Sequence, residues 1–131
     1  MRGDRVLVVD DNLTNLKLIE YLLQAHGYEV ISAFDAESAL SAVRAQLPSL
    51  MLLDLQLPGM DGLELTRQLK ADPETRHIPI VAVTASAMNG DEERALAAGC
   101  SGYVVKPIDT RALAPLVERF LQQAQRRPEP R

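Results

Sequence analysis

LMLLDLQLPGMDG, residues 50–62, carries a strand, the polar end of that strand and the start of a helix in one run. LMLL, residues 50–53, is a short continuous apolar block, and Asp54 closes it ahead of a Pro58–Gly59 turn. A helical pattern follows Asp61 and Gly62 and carries Leu65 and Leu69. An apolar block this short, bounded by turn residues, reads as a strand buried on both faces. That is the habit of parallel sheets, whereas a half-exposed strand alternates polar and apolar residues.

The same unit recurs on either side. VLVV (residues 6–9), IVAV (80–83) and YVV (103–105) are further short apolar blocks and read as buried strands. EVISA (29–33) is more polar and reads as an edge strand. Helical patterns lie between them. Asn12 is positioned to cap a helix running to about His26, with Gly27 as its stop and Leu16, Ile19 and Leu23 on one face. Asp35 caps a second through Ala39, Ala42 and Val43. Asp91, Glu92 and Glu93 open a fourth, where the helix dipole favours acids, and Gly99 ends it. A last helix follows Asp109, with Leu113, Leu116, Val117, Phe120 and Leu121 as its core-facing stripe. Pro115 conflicts with that helix, since an interior proline costs about 3 kcal/mol. Either the helix kinks there or it begins late. Five strands alternating with five helices predict a (βα)5 α/β fold. It is a doubly wound five-stranded parallel sheet, with strand order 2-1-3-4-5 and right-handed crossovers.

Composition narrows the function. With 131 residues the chain fits one domain, predicted over residues 1–124, followed by a polar, proline-bearing tail (125–131) expected to be disordered. Fourteen basic against eighteen acidic residues, a net charge of −4, argue against nucleic acid or anionic lipid as a general partner. No apolar run reaches the ~18 residues of a membrane span, and the N-terminus has no signal segment. A single cysteine, Cys100, excludes an internal disulfide framework and fits the reducing cytoplasm. It reads as a small buried residue. His26 and His77, with one cysteine, are too few for a structural zinc site and read as structural or solvated.

In open α/β sheets ligands bind beyond the carboxyl ends of the strands, at the point where the strand order reverses. For this order that point lies between the first and third strands. Asp10 and Asp11 follow the first, and Asp54 ends the third; Thr84 ends the fourth and Lys106 follows the fifth. Two carboxylates ~5 Å apart repel by roughly 3 kcal/mol at an effective dielectric near 20. Such a cluster either takes up protons or binds a cation. Few, hard oxygen ligands beside open water suit Mg²⁺. With an ammonium, a hydroxyl and a carboxylate able to form an acyl phosphate, the set describes a phosphoryl-transfer site with Asp54 as nucleophile. Each residue alone has a plainer reading: a helix cap, a turn acid, a β-branched strand end, a solvated lysine. Four of five strand ends carrying matched chemistry on one face are much harder to reach by chance.

The chain resembles the receiver domains of two-component response regulators over essentially its whole length, from VLVVDDN (6–12) to the last helix. LLDLQLPGMDG (52–62) is similar to the receiver phosphoacceptor block. VAVTASAMNGDEE (81–93) and AAGCSGYVVKP (97–107) are similar to the fourth and fifth strands with their loops. Through MNGDEER and the absence of an output domain it is most similar to the single-domain DivK type, while the same stretch also looks like receivers attached to hybrid kinases.

This resemblance implies the flavodoxin-like receiver fold and specific roles. Asp54 would accept a phosphoryl group from a phosphohistidine of a sensor histidine kinase or phosphotransfer protein. Asp11 and Asp54 would ligate Mg²⁺ with the backbone carbonyl of Gln56, and Asp10 would act through a metal-bound water. Thr84 and Lys106 would contact the phosphoryl oxygens. The bond between Lys106 and Pro107 would be cis. Tyr103 matches the switch aromatic, equally readable as an ordinary edge-strand aromatic. Gln56 and Ser86 would tune dephosphorylation. The face of helix 4, strand 5 and helix 5 would then change shape for a downstream protein target, and a phosphorylation-dependent dimer stays open. The protein would thus be a switch acting on itself, not an enzyme acting on others.

Other readings fit less well. A haloacid-dehalogenase-type phosphatase needs an acid two residues past the nucleophile, where Gln56 stands, and a dinucleotide site needs glycines that DDNLTN lacks. A receiver cut from a multidomain regulator or hybrid kinase, or a pseudo-receiver that only binds partners, would keep the fold.

Overall fold

The computed structural model describes residues 4–57, 59–85, 90–106 and 108–126. The elements are β1 (Arg5–Val9), α1 (Leu13–Ala25), β2 (Glu29–Ala33), α2 (Ala36–Ala45), β3 (Leu50–Asp54), α3 (Gly62–Ala71), β4 (Ile80–Thr84), α4 (Asp91–Ala98), β5 (Gly102–Val105) and α5 (Leu113–Arg126). The strands form one parallel sheet in the order β2-β1-β3-β4-β5. The (βα)5 expectation therefore holds, as does the polar β2 at an edge.

Strand side chains alternate between the two faces of the sheet, so each strand serves two cores. Leu7, Val9, Met51, Leu53, Ile80 and Ala82 pack beneath α2, α3 and α4, with Val43, Leu65, Leu69 and Ala95. Val6, Val8, Leu50, Leu52 and Val81 pack beneath α1 and α5, with Leu16, Leu23, Val117 and Leu121. This double burial is why β1, β3 and β4 are uninterrupted apolar runs. β5 takes the other edge, as the predicted order requires. Its burial is what differs: YVV reads as buried on both faces, yet its residues are only half-buried and Val105 is exposed. A run of three apolar residues does not distinguish an edge from a centre; the partner count does.

The helix boundaries follow local chemistry. The Asn12 carboxamide accepts from the Asn15 N–H at 3.0 Å, and Asp35 with Ser38 forms a reciprocal capping box. α4 ends at Gly99, whose φ of +116° is the left-handed conformation that glycine takes without strain. The conflict at Pro115 resolves through a late start. A turn precedes α5, and the first helical bond runs from the Leu116 N–H to the Ala112 carbonyl at 3.0 Å. Pro115 thus sits in the first turn, where a backbone N–H would have no helical acceptor anyway. α5 runs on through residues 125–126; residues 127–131, the remainder of the expected tail, lie outside the described residues, as do Ser86 and Pro107.

These placements predict opposite outcomes for two substitutions. Leu52→Ala removes a buried side chain from the α1–α5 core and is expected to cost about 2–5 kcal/mol in urea denaturation. Pro115→Ala is expected to change stability by less than about 1 kcal/mol, because no interior helical bond is regained. A larger stabilisation would mean that the proline strains the helix.

Candidate phosphoacceptor site

The strand order determines which side chains meet. β1 and β3 are neighbours in register, with Val9 opposite Leu53, so their next residues emerge side by side at the carboxyl edge. Asp10 and Asp54 are both buried, at 3% and 4% exposure, while Asp11 is exposed at the rim. One carboxylate oxygen from each of the three lies within 4.8 Å of the other two. β5 delivers the counter-charge from the far side of β4. The Lys106 N–H donates to the Thr84 carbonyl at 2.7 Å, continuing the β4–β5 ladder past the strand. Its Nζ then reaches back to Asp54 Oδ2 at 2.9 Å and to Asp10 Oδ2 at 3.1 Å.

Backbone donors complete the carboxylates. The Gln56 N–H donates to Asp54 Oδ1 at 2.9 Å, and the Asn12 N–H donates to Asp10 Oδ1 at 2.8 Å. The Asn15 carboxamide also approaches Asp10 Oδ2, with its Nδ2 at 3.5 Å. Asp11 makes no hydrogen bond or ion pair among the described residues. Burial pushes the Asp54 carboxyl above its ordinary range, with a contribution from the Asp10 charge, against the opposing pull of the Gln56 N–H and of Lys106. For Lys106 burial works to depress the ammonium, but hydrogen bonds and charges from Asp54 and Asp10 outweigh it and hold the pKa above the usual lysine value.

Glycine is required at the entrance to α3. A Cβ on Gly62 would stand 2.8 Å from Leu55 Cα and 3.0 Å from the Asp54 carbonyl oxygen. Any other residue would push α3 away from the loop that carries Asp54 and Gln56. On the other flank a cavity of about 400 Å³ opens beside the acids, with Asp10, Asn15 and Lys106 at its polar end and Leu18, Ile19 and Ile108 along its wall.

The structure thus brings together Asp10, Asp11, Asp54 and Lys106 as the sequence predicts. Thr84 is buried at the end of β4, beside this cluster's edge of the sheet. Gln56 is exposed on the loop after β3. Tyr103 is half-buried against the core beneath α3 and α4, and both it and Thr84 have polar or ring contacts of their own. Tyr103 pairs with Ala82 and Val105 with Thr84, so Tyr103 and Thr84 lie on the same face of adjacent strands. Cys100 is buried, as expected; its Sγ lies 3.8 Å from the Thr66 hydroxyl, and burial pushes the thiol pKa up. Asn15 was not a sequence candidate. Its signal lay in its place, three residues past the helix cap that follows the two acids.

Three clustered carboxylates, two of them paired with one lysine, make a donor set of hard oxygens with charge to spare, which fits a divalent cation such as Mg²⁺. Among the described residues no helix is long and apolar enough to cross a membrane.

Comparison with known proteins agrees with this geometry. The polar-differentiation response regulator DivK of Brucella anthropi is 45% identical over 119 residues, covering 91% of this chain and 97% of that protein. A response regulator receiver domain protein (CheY-like) from Methanospirillum hungatei has a similar structure, with a TM-score of 0.87 at 28% identity, covering 94% of this chain and 97% of that one. The receiver domain of the sensor histidine kinase PA1611 from Pseudomonas aeruginosa, solved with a magnesium ion coordinated in its active site cleft, matches with a TM-score of 0.83 at 35% identity, covering 92% and 98%. The model of the response regulator receiver domain family matches residues 6–118. With the acid cleft, the lysine and the strand order all in agreement, the chain belongs to the response regulator receiver domain family, the phosphoacceptor switches of two-component signalling.

Proposed function

We propose that Asp54 is the phosphoacceptor of this receiver, taking a phosphoryl group from a phosphohistidine on a sensor histidine kinase or a phosphotransfer protein in the cytoplasm. The observation that carries the reading is Lys106 Nζ, within 3.1 Å of both the Asp10 and the Asp54 carboxylates at the open edge of the sheet. A nucleophilic carboxylate must be ionised, and the ammonium beside Asp54 opposes the burial that raises its pKa. In transfer, an Asp54 oxygen forms the new O–P bond as the P–N bond of the donor breaks, and the electron pair leaves with the imidazole. The Lys106 ammonium and the Thr84 hydroxyl act as donors to the phosphoryl oxygens, which gain negative charge on the way. Asp11, Asp54 and the Gln56 carbonyl would hold Mg²⁺, with Asp10 acting through a bound water. When bound, the ion neutralises the acid cluster and the charge on the incoming phosphoryl group.

Phosphorylation adds roughly −1.5 to −2 charges and three strong acceptors beside Lys106 and Thr84. Thr84 and Tyr103 share one face of β4 and β5, so a shift of the first toward the phosphoryl group frees space for the second. That coupling would reshape the face of α4, β5 and α5, to which a separate target protein or a second phosphorylated copy would bind. The shift is limited to the difference in interaction free energy between the two shapes.

Intact mass after incubation with acetyl phosphate tests the assignment. One phosphoryl adduct is expected on the wild type with Mg²⁺, and none without Mg²⁺ or in Asp54→Asn. Lys106→Ala should accumulate the adduct roughly a hundredfold more slowly, the scale of losing one preorganised donor. An equal adduct in Asp54→Asn overturns the assignment. No adduct on any protein, with no beryllofluoride binding, would make the chain an interaction module alone.

Thermal denaturation gives an independent check. Mg²⁺ at 100 times its Kd should stabilise the wild type by about 2.7 kcal/mol, and Asp11→Asn should lose that gain. In the metal-free protein the sign for Asp54 runs the other way. Its folded pKa is raised, so the group favours folding below the ordinary aspartate range, and that contribution is lost as pH rises through the folded pKa. In EDTA at neutral pH, Asp54→Asn should therefore melt above the wild type, with the difference vanishing toward acid pH. A lower melting temperature for the variant would contradict the burial cost.

A further inference from the structure

We propose that Asn15 is a positioning residue for Asp10, holding that carboxylate in place when Lys106 leaves it for the phosphoryl group. The proposal rests on the phosphoacceptor reading above and adds to it a residue outside the acid, threonine and lysine set.

The helix start explains why an amide stands here. Asn12 is the cap of α1, and its side chain accepts from the Asn15 N–H, which makes Asn15 the third residue of the helix. At a capping box the third residue returns an acceptor to the cap's own N–H. Here that N–H is already taken, since Asn12 N donates to Asp10 Oδ1 at 2.8 Å. The position has no use for an acceptor, and a glutamate would add a fourth carboxylate to the cluster. An amide can instead present its donor, and Asn15 Nδ2 stands 3.5 Å from Asp10 Oδ2. The opposite orientation of the amide would set its oxygen against a carboxylate oxygen, so the nitrogen must face Asp10. Among the described residues Asp10 is the one partner of the Asn15 side chain.

The contact is long in this state for a visible reason. Asp10 Oδ2 is shared, and Lys106 Nζ holds the same atom at the shorter distance of 3.1 Å. One ammonium spans Asp10 and Asp54, so a phosphoryl group on Asp54 that draws Lys106 toward itself takes the stronger donor from Asp10. Asp10 would then keep the Asn12 N–H on Oδ1 and Asn15 on Oδ2. Asn15 and Lys106 both border the cavity beside the acids, so the amide has room to close on Oδ2. Outer partners that orient a metal-binding carboxylate typically matter by 10- to 100-fold in affinity or rate.

The test compares wild type with Asn15→Ala, Asn15→Leu and Asn15→Gln. Mg²⁺ affinity is read by calorimetry with beryllofluoride present to stand in for the phosphoryl group, adduct formation by intact mass with acetyl phosphate at saturating Mg²⁺, and folding by melting in EDTA. The Asn12 cap uses the backbone of residue 15, so all three variants should fold. Alanine should weaken Mg²⁺ binding or slow the adduct by about tenfold, with melting in EDTA near wild type. Leucine, with the same branching at Cγ but without a donor, should fall with alanine, and glutamine should recover most of the loss. Recovery by leucine would assign the effect to packing and overturn the proposal. Unchanged affinity and rate in all variants of a wild type that binds Mg²⁺ and takes the adduct would overturn it while leaving Asp54 as acceptor. A wild type that does neither would overturn both readings.

Discussion

A lysine ammonium within 3.1 Å of two buried carboxylates is the contact around which this receiver is arranged. Parallel pairing of β1 with β3 puts Asp10 and Asp54 side by side, and Asp11 joins them within 4.8 Å. Three like charges at that spacing oppose the pairing that creates them, each pair by a few kcal/mol at an effective dielectric near 20. Lys106 offsets part of that repulsion. It reaches the acids because β5 lies beyond β4 and its chain continues the ladder one residue past the strand. The rest of the fold, two apolar cores holding five strands in one order, keeps these ends at the same level.

The site is therefore under-neutralised by design of the topology. One ammonium pairs with two of the three acids, and the charge left over is of the kind that a divalent cation neutralises. Burial resists ionisation of Asp54, while the Gln56 N–H and Lys106 favour it, so this carboxylate is balanced between two opposing influences. In the proposed mechanism a phosphoryl group on Asp54 would change that balance by offering Lys106 a stronger partner. What Asp10 then relies on is local to the start of α1, where the Asn12 N–H and the Asn15 amide stand next to its two oxygens.

Much of this was legible residue by residue. Asn12, Asp35 and Gly99 mark helix ends because capping is local chemistry, and the structure has helix boundaries at each. Leu50, Met51, Leu52 and Leu53 reveal a strand with both faces covered, because only double burial makes alternation vanish. Other features were not legible locally. YVV has the same apolar look, and its exposure follows from its edge place in the strand order and not from the run itself. The Pro115 conflict was visible, but its resolution needed the turn before α5. Gly62 reads as a turn glycine until the Leu55 backbone is seen 2.8 Å from where its Cβ would be.

By itself the sequence determined the kinds and order of elements and the chemistry at each strand end. These follow from periods of two and 3.6 residues and from caps that act within a few positions. Only the tertiary structure decided that Lys106 meets Asp10 and Asp54, from which it is separated by 96 and 52 residues. The physical reason is range. Hydrogen bonds and Coulomb forces act over a few ångströms of space, and which residues share that space is settled by strand order and register.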